Sequence, residues 1–167
     1  MKIIIGFLMA ALMFVGCSSK ETDIQVTPKL VIDKSLANLK LNDQYEKPYT
    51  IAKTTKKVIF AFSKDIGHSC NDFFATKKDS YLQDNNSVFI ADISGAPSLI
   101  RSMFILPGLK DFKHTVLILD DKKIANAYKA NQDTEKIVVV TLDNEIIKNI
   151  KTLNSVDELA KEIEQSN

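Results

Sequence analysis

Arginine is almost absent from this chain, and that scarcity limits the partners it can read. Of 22 basic residues among 167, only Arg101 is an arginine. Bidentate recognition of phosphates and guanine edges relies on Arg, and the lysines form no dense stripe, so nucleic acid is not an expected partner. Five glycines leave little room for a phosphate-cradling loop, and none is present. Tryptophan is missing, and no Ser-His-Asp arrangement or zinc signature occurs. The two cysteines, Cys17 and Cys70, exclude a disulfide framework. A chain of this length buries roughly 68–70% of its unfolded surface, so it needs neither disulfide nor metal to fold.

The first residues carry the strongest pattern. Met1-Lys2 is a short positive start, followed by an apolar run from Ile3 to Val15. The run is shorter than the ~20 residues of a membrane-spanning helix and has the form of a secretory h-region. It ends at Phe14-Val15-Gly16-Cys17, followed by polar Ser18-Ser19-Lys20. This resembles the lipobox of bacterial lipoproteins, with Phe14 in place of the favoured Leu. The resemblance implies cleavage before Cys17 and acyl chains, palmitate among them, on its sulfur. Two or three chains hold a protein stably on a membrane, whereas one holds it marginally.

The expected organisation is a signal peptide over 1–16, a lipidated tether over 17–28 and one domain over 29–167. Ser18 stands where an Asp retains some lipoproteins on the inner membrane, which favours the outer membrane in a cell with two. The expected location is the cell envelope, facing the periplasm or the cell exterior. An ordinary secretory signal with a chance cysteine, or an uncleaved anchor, is the alternative.

Beyond the tether, Leu39–Leu41 and Tyr49–Ile51 flank a polar turn and predict a β-hairpin. Val58–Phe62 and Val88–Ala91 read as buried strands. Ser69 with Asp72 resembles an N-cap with an acidic N3, predicting a helix from Cys70 to about Leu82. Pro97 suits the first turn of a second helix, with Leu99, Ile100, Met103 and Phe104 as its apolar face and Pro107-Gly108 as its end. Thr115–Leu119 predicts a third strand, and Ile124–Tyr128 a further one. Ile137–Leu142 and Glu145–Ile147 flank an Asp143-Asn144 turn. Ser155-Val156-Asp157-Glu158 is a capping box for a last helix whose inner face is Val156, Leu159, Ala160 and Ile163. Asp92, Asp120, Asp121 and Asp143 read as turn chemistry. The order predicts an α/β domain with a mixed sheet and helices on both faces.

Leu41-Asn42-Asp43-Gln44-Tyr45-Glu46-Lys47-Pro48 is similar to the hairpin of extracytoplasmic thioredoxin-like proteins, the peroxiredoxin, resA-like and Sco-type members among them. Glu46 stands where they carry Gly. Val58–Phe62 matches their central strand. The resemblance implies a three-layer α/β/α sandwich with an N-terminal hairpin. It also marks what is gone: Ile66-Gly67-His68-Ser69-Cys70 keeps only the last cysteine of a redox pair. Gly67 replaces the peroxiredoxin Thr, and His114 takes the place of the proline before the third core strand. Disulfide exchange needs a resolving thiol, and this chain supplies none once Cys17 is acylated.

Two readings of Cys70 remain open. At the start of a helix its thiolate is favoured by unpaired N–H groups and the dipole, with His68 nearby as a cation. Alternatively it is a small apolar residue packed beneath the first turn. His68, Cys70 and His114 together have the ligand types of a Cu(I) site; no other cofactor is expected. The first functional expectation is a non-catalytic module binding an envelope protein through Ser63–Cys70 and Lys113–Thr115. The second is redox or copper handling through Cys70, and a single-cysteine peroxidase is a third. Mass spectrometry of the membrane-extracted chain should find acylated Cys17 as the first residue. An intact leader, or a bridge between Cys17 and Cys70, would overturn the lipoprotein reading.

Overall fold

A computed structural model describes residues 26–165; the leader and Cys17 lie outside them. Strands β1 (Lys40–Asp43) and β2 (Pro48–Thr50) form the expected hairpin. Asp43 Oδ1 accepts the N–H groups of Tyr45 (2.8 Å) and Lys47 (2.9 Å), which fixes the turn. Glu46, at the position where Gly is usual, has φ 64°, a left-handed conformation that glycine adopts without strain.

Strand β3 (Lys57–Ala61) is followed by helix α1 (Lys64–Ala75) and the short α2 (Tyr81–Asp84). Next come β4 (Ser87–Asp92), α3 (Ser98–Ile100), a π-helical turn (Arg101–Ile105) and α4 (Leu106–Leu109). The chain ends with β5 (Leu117–Leu119), α5 (Lys122–Lys129), β6 (Ile137–Asp143), β7 (Ile146–Leu153) and α6 (Val156–Glu164). The seven strands form one sheet in the order β2-β1-β5-β4-β3-β6-β7. β3, β4 and β5 run parallel, and the remaining pairs are antiparallel.

Alternation along β3 builds both faces of the core. Val58 and Phe60 pack with Tyr128 of α5 on one side. Ile59 and Ala61 pack with Cys70 and Phe74 of α1 and Leu159 and Ile163 of α6 on the other. The result is a three-layer α/β/α sandwich. Ser155 Oγ accepts Glu158 N–H at 3.2 Å, as the capping box requires, while Glu158 Oε2 reaches the N–H of Asn154.

Four local expectations are corrected. Ile124–Tyr128 is part of helix α5, because Asp121 Oδ1 caps Ile124 N–H at 2.9 Å and Ala125 and Tyr128 are buried one turn apart. The helix expected from Cys70 begins at Lys64, and Ser69 lies inside it with its hydroxyl donating to Asp65 O at 2.9 Å. Leu99, Ile100, Met103 and Phe104 face outward; Ile105, Leu106 and Leu109 turn inward instead. The helical path also runs on through Pro107. Pro lacks the N–H and crowds the carbonyl one turn back, and the wider π turn just before it relieves that crowding.

The expected third strand holds β5, which pairs with β1 and β4, while β6 is the antiparallel neighbour of β3.

Glu162 of α6 clamps the other half of the sheet. Its carboxylate meets Lys57 Nζ and Lys151 Nζ, each at 2.5 Å, and Lys57 Nζ also donates to Thr141 Oγ1 at 3.0 Å. Burial pushes the carboxyl pKa up, but the hydrogen bonds and charges of Lys151 and Lys57 outweigh it and hold it below the usual range. Removing one member of a buried pair strands the other, which costs about 3–5 kcal/mol. Glu162→Ala should accordingly lower unfolding stability in urea by about 3 kcal/mol. A loss below about 1 kcal/mol would show that the clamp is solvated.

Candidate functional site

Ser63 links β3 to α1. Its backbone is extended (φ −120°, ψ 160°) and its side chain makes no capping bond; Ser63 Oγ is buried without a hydrogen-bond partner among the described residues. The helix then turns Cys70, Asn71 and Phe74 onto the sheet. Cys70 is 0% exposed and is the only cysteine among the described residues. Burial pushes its thiol up to about 12. Its place inside α1, past the first turn, also removes the unpaired N–H groups that would have favoured a thiolate.

His68 is exposed on α1. It is two residues from Cys70, a spacing that does not put side chains on one helical face. His114 is 3% exposed, and its Nε2 lies 2.9 Å from Asn71 Oδ1. The rings of Phe112, Phe74 and Phe89 surround it at 5.2, 5.4 and 6.4 Å. Burial lowers its pKa to about 4, so the imidazole is neutral near pH 7, and with Asn71 Oδ1 accepting, the proton is on Nε2. His68, Cys70 and His114 are not brought together. Among the described residues no group of three His, Cys, Asp or Glu side chains is placed to hold a metal ion.

Gln44, read in sequence as a turn residue, positions the segment that carries His114. Its Nε2 donates to His114 O at 2.8 Å, and its Oε1 accepts Val116 N–H at 2.9 Å. The side-chain amide thus takes the part of a strand's peptide group.

The C-terminal ends of β3 and β4 open into a groove of about 540 Å³. This lies in the size range of small-molecule and peptide pockets. Ser63, Lys64, Gly67 and His68, from the Ser63–Cys70 stretch anticipated in sequence, line one wall together with Asn71, while Cys70 is not in the lining. Lys113, His114 and Thr115 are not among its lining residues; Phe112 is. Phe104, Ile105 and Leu109 supply the opposite apolar wall.

Three features in and around the groove escaped the sequence. Asp92 does make a turn, its Oδ1 accepting Ser94 N–H at 2.8 Å. Its other oxygen meets Lys129 Nζ at 2.7 Å with the carboxylate 2% exposed, so a buried ion pair stands in the wall. The lone arginine is structural: Arg101 Nη1 donates to Asp120 O at 3.0 Å and to Ser94 O at 3.4 Å. Finally, Gly67, Gly95 and Gly108 all line the groove. None has positive φ, and a Cβ at any of them meets nothing within 4 Å. Neither backbone conformation nor close packing requires glycine there. Within a helix Gly67 is worth about 1 kcal/mol less than Ala, so an open groove is maintained at a cost in stability.

The buried histidine gives a pH signature. Its folded pKa lies below its unfolded value, so the unfolded chain binds the extra proton between pH 6.5 and about 4 and stability falls as pH falls through that window. The full effect is on the order of 3 kcal/mol. The window opens above the one in which Glu162 titrates. Urea unfolding at pH 7.5 and 5 should show the loss in the native chain and little of it in His114→Gln. An equal loss in both would mean that His114 takes up its proton while folded.

No protein-family model matches the sequence, and no curated protein matches it. Solved structures do match in shape. A thioredoxin domain of a thiol-disulfide oxidoreductase from Bacteroides vulgatus superposes with a TM-score of 0.51 at 10% identity, covering 83% of this chain and 99% of that one. A peroxiredoxin-like protein from Aquifex aeolicus gives 0.51 at 10% identity over 85% and 91%. A peroxidoxin from Mycobacterium tuberculosis gives 0.50 at 12% identity over 81% and 94%. At such identities the likeness speaks for architecture alone: this chain has the thioredoxin-like fold.

Proposed function

We propose that this chain is an envelope lipoprotein, held on a membrane through acylated Cys17, whose thioredoxin-like domain binds an envelope protein without thiol turnover. The position of Cys70 carries the reading. A thiol at 0% exposure with its pKa pushed to about 12 is about one part in 10⁴ thiolate at pH 8, and the thiolate is the nucleophile. The fold supplies a groove at the edge where thioredoxin-like proteins act on other proteins, and here glycine keeps that groove open. The occupant is an extended protein segment with apolar side chains for Phe104, Ile105 and Leu109. Lys129, part-exposed in the wall, is available to its polar groups.

The second reading, redox or copper handling through Cys70 with His68 and His114, requires those side chains to converge. His114 is held by Asn71, and His68 is on the solvent side of α1. Two measurements separate the readings. Iodoacetamide at pH 8 should modify Cys70 in the folded chain on the order of 10³-fold more slowly than in urea. A photo-crosslinker at His68 should capture an envelope protein equally well in Cys70→Ala and fail to do so in Gly95→Leu, which fills the groove. Rapid alkylation, or one equivalent of Cu(I) retained by the native chain and lost in Cys70→Ala, would favour the second reading.

A further inference from the structure

We infer that the outward face of the helical segment 98–104 inserts into the surface of the lipid bilayer, setting the orientation of the domain on its membrane; this rests on the anchoring reading above. Leu99 is 64% exposed, Ile100 41%, Met103 57% and Phe104 64%. Their spacing puts them on one face of the helical path. The opposite face, with Ile105, Leu106 and Leu109, is just as apolar and packs on the core. An exposed apolar cluster of this kind marks an interaction surface.

Charge favours lipid as the occupant. Between Ser98 and Lys110 there is no Asp or Glu, and Arg101 and Lys110 are the only charged residues. Arg101 is already engaged by two backbone carbonyls. A Leu, Ile, Met and Phe face on a segment that itself carries no acidic residue suits the headgroup boundary, where interfacial helices bury their apolar side. Leu99, Ile100 and Met103 stand outside the groove lining, which shares Phe104 with the ridge, so these three side chains form a surface beside the one assigned to the protein partner.

The path of the chain supplies the second argument. Lys29 N–H donates to Ala127 O of α5 at 2.9 Å. Two residues on, Lys129 pairs with Asp92, the last residue of β4, from which the chain leads into the ridge. The tether therefore enters the domain at the sheet edge that carries the apolar face. From Cys17 to Lys29 the chain can reach at most roughly 40 Å when fully extended. A tether of that reach lets this edge lie against the bilayer.

The absence of tryptophan from the chain makes a clean test. Met103→Trp introduces a single reporter on the ridge, outside the groove lining, and Lys53→Trp places one in the exposed loop before β3, at the opposite edge of the sheet. Each membrane-extracted chain is reconstituted into phosphatidylcholine–phosphatidylglycerol vesicles carrying lipids brominated near the headgroup end of the acyl chain. Met103→Trp should emit to the blue of Lys53→Trp and be quenched at least about threefold more strongly. Equal quenching of the two would overturn the proposal. So would a Met103→Trp emission that remains water-exposed on lipid and shifts only when envelope protein is added, since that assigns the ridge to a protein. Mass spectrometry of the same material reads the anchor separately. Where Cys17 proves unacylated, coupling its thiol to a maleimide lipid restores the attachment, so failure of the anchor and failure of the ridge are told apart.

Discussion

The register of α1 governs the chemistry available at the groove. β3 ends at Ala61 and the helix starts at Lys64, so the chain turns directly from strand into helix with Ser63 at the junction. That early start carries Cys70 past the first turn and rotates it, with Asn71 and Phe74, against the sheet. A sulfur there lacks both the water and the unpaired N–H groups that would support an anion. The same rotation brings Asn71 to His114, which makes that imidazole a neutral member of an aromatic box. One junction therefore decides that the edge presents apolar wall and glycine instead of reactive groups.

Elements whose signal is local were legible in the sequence. The hairpin, β3, β4 and α6 follow from turn residues, compact apolar runs and a capping box, each set by neighbours within a few residues. The failures arise where tertiary packing chooses between local options. Ile124–Tyr128 carries β-compatible residues, but Asp121 caps them as a helix and the Ala125–Tyr128 spacing is what the core uses. Ser63 and Ser69 are both plausible caps, and the choice falls to whichever lets Cys70 and Phe74 reach the sheet. With apolar residues on both sides of segment 98–109, periodicity had no contrast from which to tell inside from outside.

The candidate site was half legible for a similar reason. Ser63, Lys64, Gly67 and His68 do line the groove, because that stretch follows the central strand directly. The Asp92–Lys129 pair and the glycine lining join residues far apart in sequence, and composition says nothing of their meeting. Five glycines in the chain excluded a phosphate loop; where three of them converge became visible only in three dimensions.

Gln44 has a further consequence for the sheet as a whole. β5 is a short strand with β4 on one side, and among the described residues only the N-terminal hairpin pairs with its other side. The approach to it, from Phe112 to Val116, is fastened by one side-chain amide from the hairpin's turn. Were that amide lost, the short β1–β5 pairing and the Tyr45 hydroxyl on Lys110 O would hold the seam, and its opening would leave β5 as a bare, strongly apolar margin, which is the template for chain-to-chain pairing that folded proteins avoid. Self-association of this molecule would then begin far from the thiol and from the groove, at a residue whose role is to keep a seam closed.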